Sequence, residues 1–323
     1  MDGLVVVDKP AGWTSHDVVA KLRGVYGQRR IGHAGTLDPD ATGVLLVGLG
    51  RATRLLRFLQ ESSKAYEGVV AFGVATDTLD AAGTVLERSP MPVGRSEVEA
   101  ASVRFVGDIL QVPPMVSALK VGGRRLHELA REGVEVERAP RPVHIGSLEI
   151  TDFEPGPFPR AAISVTCSSG TYIRTLAADL GAALGGCAHL ASLRRTRVGS
   201  FTLAEAHPLE TVVAEPLPCT LGLAEMVRDL EPVTVDAPTA AGVLHGSVFP
   251  PAALGVGDHV GPFAVLAAGD LLAVYERRGA GLKPAVVVAS ATGAPAPMVF
   301  AALTELALAG RAELLPGGFV ARI

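Results

Sequence analysis

The sequence has little cysteine, no long apolar run and no strong excess of charge of either sign. Its three cysteines, Cys167, Cys187 and Cys219, show no Cys-x-x-Cys spacing. They support neither a zinc cluster nor a disulfide framework and read as buried thiols. No apolar stretch reaches membrane-spanning length, so no membrane association is expected. The first residues lack a basic segment followed by an apolar one, so the chain is expected in the cytoplasm. Hydrophobic residues are 48% and charged residues 19% of 323 positions. That composition excludes a disordered chain and allows two domains with a sizeable core.

A net charge of −4 argues against bulk electrostatics as a route to nucleic acid. The charge is unevenly placed. Residues 209–323 carry 6 Lys/Arg against 11 Asp/Glu, which leaves residues 1–208 with 23 against 22. Basic residues in that first part cluster at Arg29-Arg30, Arg51/Arg54/Arg57, Lys120/Arg124/Arg125 and Arg194-Arg195/Arg197. One such cluster is a solvated face; four in one domain predict a patchy basic surface.

Against this ordinary background stands Gly32-His33-Ala34-Gly35-Thr36-Leu37-Asp38-Pro39-Asp40-Ala41-Thr42-Gly43, followed by the apolar run 44–48. Three glycines (Gly32, Gly35, Gly43) and a proline exclude regular structure and predict an irregular loop feeding a buried strand. Pro39 biases Asp38 toward an extended backbone, so local sequence controls the direction of that carboxylate. His33, Thr36, Asp38 and Thr42 form a set of hydrogen-bonding groups at a core edge. A second stretch, Ser168 to Leu176, opens a helix to about 184, with Gly170-Thr171 expected to cap it. Arg174 then sits in the first turn, where a cation opposes the helix dipole and needs a partner; Asp38 is the natural candidate.

Further elements follow from pattern. Strands are expected at 3–7, 63–73, 143–151 and 161–167, and helices from Thr14 or Ser15 to about 26, at 51–59 and at 124–131. Residues 209–231 read as a helical linker. Beyond it come a helix at about 237–246 and strands at 263–266, 271–275 and 285–288. Residues 297–309 suit a helix, and 314–320 a hairpin turn that faintly resembles half of a winged helix.

The 32–43 loop closely resembles, without gaps, the motif G-H-x-G-x-L-D-P-x-A-x-G of the TruB family of tRNA pseudouridine synthases. Five other stretches resemble that family: Lys9-Pro10 with Thr14-Ser15; Lys64-Ala65-Tyr66; Thr76-Asp77-Thr78-Leu79-Asp80 with Gly83; Pro113-Pro114 to Gly122 with Ser117; and Gly170-Thr171-Tyr172-Ile173-Arg174. A sixth is His189-Leu190 with Leu193-Arg194-Arg195 and Gly199. The chain departs from the pattern at Val116, where an aromatic is usual, and at His127, where a tyrosine is usual. The resemblance implies an α+β pseudouridine synthase fold with a mixed, mainly antiparallel central sheet flanked by helices and loops. It also implies a small PUA-type β-barrel-like C-terminal domain. Domains are expected at 1–231 (catalytic) and 232–289 (RNA-binding), with 290–323 an extension of unassigned role.

By the same resemblance Asp38 is the nucleophile, Arg174 its partner, and Tyr66 stacks on the base and is a candidate proton acceptor. His33, Tyr172, Leu193, Lys9, Arg194 and Arg195 are the expected substrate-binding set, with Lys9 supporting the loop and the arginines facing phosphate. Arg174 is expected to hold Asp38 ionised by lowering its pKa. The resemblance implies that the substrate is uridine 55 in the T-loop of tRNA, flipped out of its stack. No cofactor or metal is implied, and the protein is expected to act as a monomer without an obligate protein partner. Two other classes compete: a non-catalytic RNA-binding folding chaperone, and a metal-dependent hydrolase using Asp38, His33 and Asp40.

Overall fold

A computed structural model describes residues 1–117, 119–121, 123–126, 129, 132–134, 136–288, 312–315 and 319–322. Runs of valine and leucine build the central sheet. Gly3–Lys9 (β1) pairs antiparallel with Thr42–Leu49 (β3), and Ile31–Ala34 (β2) pairs with the far end of β3. Between β1 and β2 runs helix Ser15–Val25 (α1), started by a capping box in which Thr14 and Asp17 bond reciprocally. Leu56–Gln60 (α2) leads to Lys64–Phe72 (β4), and Arg95–Ser102 (α3) to Gly107–Gln111 (β5). The long hairpin Arg141–Glu154 (β6) and Arg160–Cys167 (β7) feeds Ile173–Ala183 (α4) and then Ala188–Val198 (β8).

The main path of the sheet runs β1-β3-β8-β4-β7-β6-β5, with the short strand His207–Pro208 outside β1. It is mixed and mainly antiparallel: β8 meets β3 in parallel through Arg194–Thr42 and Arg195–Gly43, and the 207–208 strand meets β1 in parallel. Strand β8 also pairs antiparallel with β4, setting Arg195 opposite Tyr66. The exit of the 32–43 loop and Tyr66 are thereby brought to either side of one strand.

A second sheet holds Glu231–Thr234 (β9), Phe263–Ala267 (β10), Asp270–Arg278 (β11) and Gly281–Val287 (β12), in that order, with Ala237–Leu244 (α5) capped by Asp236. Its inner face packs Ala264, Leu271, Val274 and Val286 into one cluster with Leu4, Val6, Leu46 and Phe201 of the first sheet. Arg51 Nη1 and Arg54 Nη1 donate to the carbonyls of Val288 and Val287 at 2.6 and 2.8 Å, and Arg57 pairs with Glu276 at 2.8 Å.

Several local expectations resolve differently. The stretch 51–59 splits into a 3-10 turn, Gly50–Arg54, and the short α2. The linker keeps helix only at Leu209–Ala214 and Leu223–Met226, interrupted around Pro216 and Pro218, which cannot donate in a helix interior. Arg124–Arg125 pairs with Lys120–Val121 as a short ladder, so the helix expected from 124 does not include them. In the tail, Ala312–Leu315 and Phe319–Arg322 pair antiparallel as the hairpin reading requires. His127 and the helix at 297–309 lie outside the described residues.

Gly43 is the tightest point of the assembly. Its φ is +101°, and a Cβ there would stand 2.1 Å from the Arg195 carbonyl oxygen. Strands β3 and β8 approach this closely only without a side chain. Gly43→Ala is expected to cost about 3 kcal/mol of unfolding free energy, read from urea denaturation midpoints.

Candidate active site

The loop that carries Asp38 is held on both flanks by the turn after β1. On one side Ser15 Oγ, 1% exposed, accepts the Leu37 N–H at 2.9 Å and donates to the Leu37 carbonyl at 3.2 Å. On the other, the Pro39 carbonyl accepts the Gly12 N–H at 3.0 Å and Lys9 Nζ at 2.8 Å. Lys9 is wholly buried and also donates to the carbonyls of Trp13 and Pro10, at 2.6 and 2.9 Å. Burial lowers its pKa to about 8, opposed by the carboxylates of Asp40 and Asp38. Lys9 is therefore a strut of the loop, with no exposed surface and its ammonium engaged by backbone carbonyls.

Arg174 meets Asp38 as expected. The Nε–Oδ2 distance is 3.0 Å and Nη2–Oδ1 is 3.2 Å, a two-point contact. Its remaining donors are also taken: Nη2 by the Val116 carbonyl at 2.8 Å, and Nη1 by the Thr78 carbonyl at 3.0 Å and Asp80 Oδ2 at 3.2 Å. The Arg174 side chain is 5% exposed against 41% for Asp38. The carboxylate opens on solvent from a buried guanidinium. Helix α4 starts at Ile173, and Tyr172 at its N-cap has no side-chain cap. The cap expected from Gly170-Thr171 fails because Thr171 Oγ1 donates to the Ser168 carbonyl at 3.0 Å instead.

The charge on Asp38 departs from the expectation. Burial raises its pKa above the ordinary 3.8; Arg174 pulls it down, while Asp80 and Asp40 push it up again. Burial is the largest cause, and the cations Arg174 and Lys9 do not offset it, so the net direction is upward.

Asp38 lines a cleft of about 270 Å³ with Tyr66, Tyr172, Arg174, Leu193 and Lys64. It also borders a smaller cavity of about 210 Å³ with Asp80 and Leu190. Leu193 lies between both and a third cavity that includes Arg194 and Glu67. Burial raises the pKa of the Tyr66 phenol, so its hydroxyl stays protonated at neutral pH. Arg194 is partly exposed, bonding Asp8 at 2.7 Å and Thr42 at 3.2 Å. Arg195, expected to face phosphate, is 1% exposed at the back of the cleft, and its Nε and Nη2 donate to the carbonyls of Val44 and Gly35 at 2.7 and 3.1 Å. His33 stands behind the loop, edge-on to His16 with ring centroids 5.3 Å apart.

Two functional contacts escaped sequence reasoning. Asp80 is the second carboxylate on Arg174, and Ser15 fixes the residue before Asp38. Both residues lie in stretches that resemble the family, but nothing in their spacing pointed to these partners.

Residues 23–173 match the family described as TruB family pseudouridylate synthase (N terminal domain), and residues 174–231 match the tRNA pseudouridylate synthase B C-terminal domain. A tRNA pseudouridine synthase B of Symbiobacterium thermophilum is 53% identical over 76% of this chain and 82% of its own length. The corresponding Thermobifida fusca protein is 47% identical over 89% of this chain and 99% of its own. Among solved structures, a Cbf5-Nop10-Gar1 complex matches with TM-score 0.71 and 25% identity, over 91% of this chain and 87% of that one. Fold, cleft and relatives define an enzyme of the pseudouridine synthase class. Within that class, the chain belongs to the TruB family.

His33 gives this site a measurable acid sensitivity. Burial, with His16 and Arg195 nearby, lowers its pKa to about 4 from 6.5. The unfolded chain then binds a proton that the folded chain refuses between those values, so stability is intact above pH 6.5 and falls as pH drops toward 4. Replacing His33 by Gln should remove about 2 kcal/mol of this acid loss, read as unfolding free energy at pH 7 and pH 4.5 for both proteins.

Proposed function

We propose that this enzyme isomerises uridine 55 in the T-loop of tRNA, with Asp38 as the nucleophile on an everted base. The observation that carries the reading is the two-point Asp38–Arg174 pair opening on a cleft walled by Tyr66, Tyr172 and Leu193. The printed names of the relatives, tRNA pseudouridine synthase B, support tRNA as substrate. Asp38 adds to C6 of the base or to C1′ of the ribose, and the N1–C1′ bond breaks. The base turns, C5 bonds to C1′, the bond from Asp38 to C6 or C1′ breaks and frees the carboxylate, the C5 proton leaves, and N1 gains a proton. Atoms and electrons balance without an external reactant. The base lies against the Tyr66 ring, and the protonated phenol suits stacking better than proton removal. A base inside a folded loop has to be everted to reach the cleft, and loop shape with 2′-hydroxyls supplies recognition.

Residues 1–231 act as the catalytic body and 232–289 as a PUA-like RNA-binding module, a reading supported by the four-stranded second sheet and its capped helix. The protein works as a cytoplasmic monomer on the T-arm. No helix among the described residues is long and apolar enough to cross a membrane. The hydrolase alternative is weakened because no group of three His/Cys/Asp/Glu side chains among the described residues is arranged to hold a metal, and Asp38 is already bound by Arg174.

Asp38→Ala should lower pseudouridine formation in an unmodified tRNA transcript by at least about a thousandfold while leaving transcript binding within about threefold. Retained formation would end the nucleophile assignment. With the wild-type enzyme, kcat should climb with pH along an acid limb displaced above 3.8, because burial raises the pKa of the carboxylate that must be ionised.

A further inference from the structure

The helix that delivers Arg174 is anchored at its N-cap residue by a distant strand. Gln111, the last residue of β5, is 1% exposed. Its Oε1 accepts the Tyr172 N–H at 3.0 Å and its Nε2 donates to the Tyr172 carbonyl at 3.3 Å. That carbonyl also accepts the first helical bond of α4, from the Leu176 N–H at 3.1 Å. A primary amide offers a donor and an acceptor side by side, as strand backbone does, so Gln111 pairs with Tyr172 like a bridge partner. Just beyond Gln111 the same segment brings the Val116 carbonyl to Arg174 Nη2 at 2.8 Å. One stretch of chain therefore grips both the start of the helix and the guanidinium it carries.

We propose that Gln111 is a positioning residue for the isomerisation: its paired bonds to the Tyr172 backbone set the first turn of α4, and through it the approach of Arg174 to Asp38. Gln111 lies outside the lining of the cleft, so its effect falls on the reacting geometry and not on substrate capture. The proposal rests on reading the cleft as the uridine site.

The test compares wild type, Gln111→Ala and Gln111→Glu as full-length proteins on an unmodified tRNA transcript, with kcat and KM measured from pH 6 to pH 8.5. Gln111→Ala should lose about tenfold or more in kcat with KM within about twofold. Glutamate keeps the acceptor for the Tyr172 N–H; when ionised it sets oxygen against the Tyr172 carbonyl, and when protonated it restores the donor. The ratio of Gln111→Glu to wild-type kcat should therefore fall as pH rises. Mere space-filling would lower the melting temperature without tilting that ratio. If Gln111→Ala does not fold, the glutamate profile decides alone. A flat ratio, or a kcat preserved in Gln111→Ala with wild type active, overturns the role of Gln111 and leaves the cleft reading intact. A wild-type enzyme inactive on the transcript overturns both.

Discussion

The site depends on one buried guanidinium that makes four hydrogen bonds and pairs with two carboxylates. Arg174 joins the loop at Asp38, the turn at Thr78 and Asp80, and the segment at Val116. These three pieces lie far apart in sequence and share no regular hydrogen-bond ladder at that point. A buried cation left partly unpaired would be costly, so its satisfaction fixes their mutual placement. Burial, with Asp80 beside it, explains why Asp38 is paired with Arg174 yet harder to ionise than an ordinary aspartate.

The sheet supplies the rest of the alignment. Strand β8 lies between β3 and β4, so the exit of the catalytic loop and Tyr66 face each other across it. Gly43 permits that contact, and Arg195, Lys9 and Ser15 brace the loop from beneath. Nearly all the polar groups around Asp38 serve to hold it. Those open to a ligand are few: the carboxylate itself, and beside it the side chains along the cleft.

Much of this was legible in the sequence, for identifiable reasons. Glycine and proline spacing marked the loop as irregular, which holds for 35–41 while its two ends join β2 and β3, and the apolar run after it marked a core strand. A cation in a helix's first turn called for an acid, which led from Arg174 to Asp38. Contacts made by ordinary residues across long separations were not legible: Ser15 with Leu37, Asp80 with Arg174, Gln111 with Tyr172. Arg195 was expected to face phosphate, whereas its burial, set by packing, turned its donors toward carbonyls. The direction of the Asp38 pKa needed the positions of all its charged neighbours and could not come from one pair.

The arginines beside α2 carry a consequence for how RNA association responds to ionic strength. Arg51, Arg54 and Arg57 form one of the densest basic clusters in the chain, yet they are directed at the second sheet through Val288, Val287 and Glu276. A cation already bound to its own protein displaces few counterions from a polyanion. The slope of affinity against the logarithm of salt will thus be shallower than the arginine count suggests, and the same three side chains instead couple the tilt of the second sheet to the body that holds the cleft.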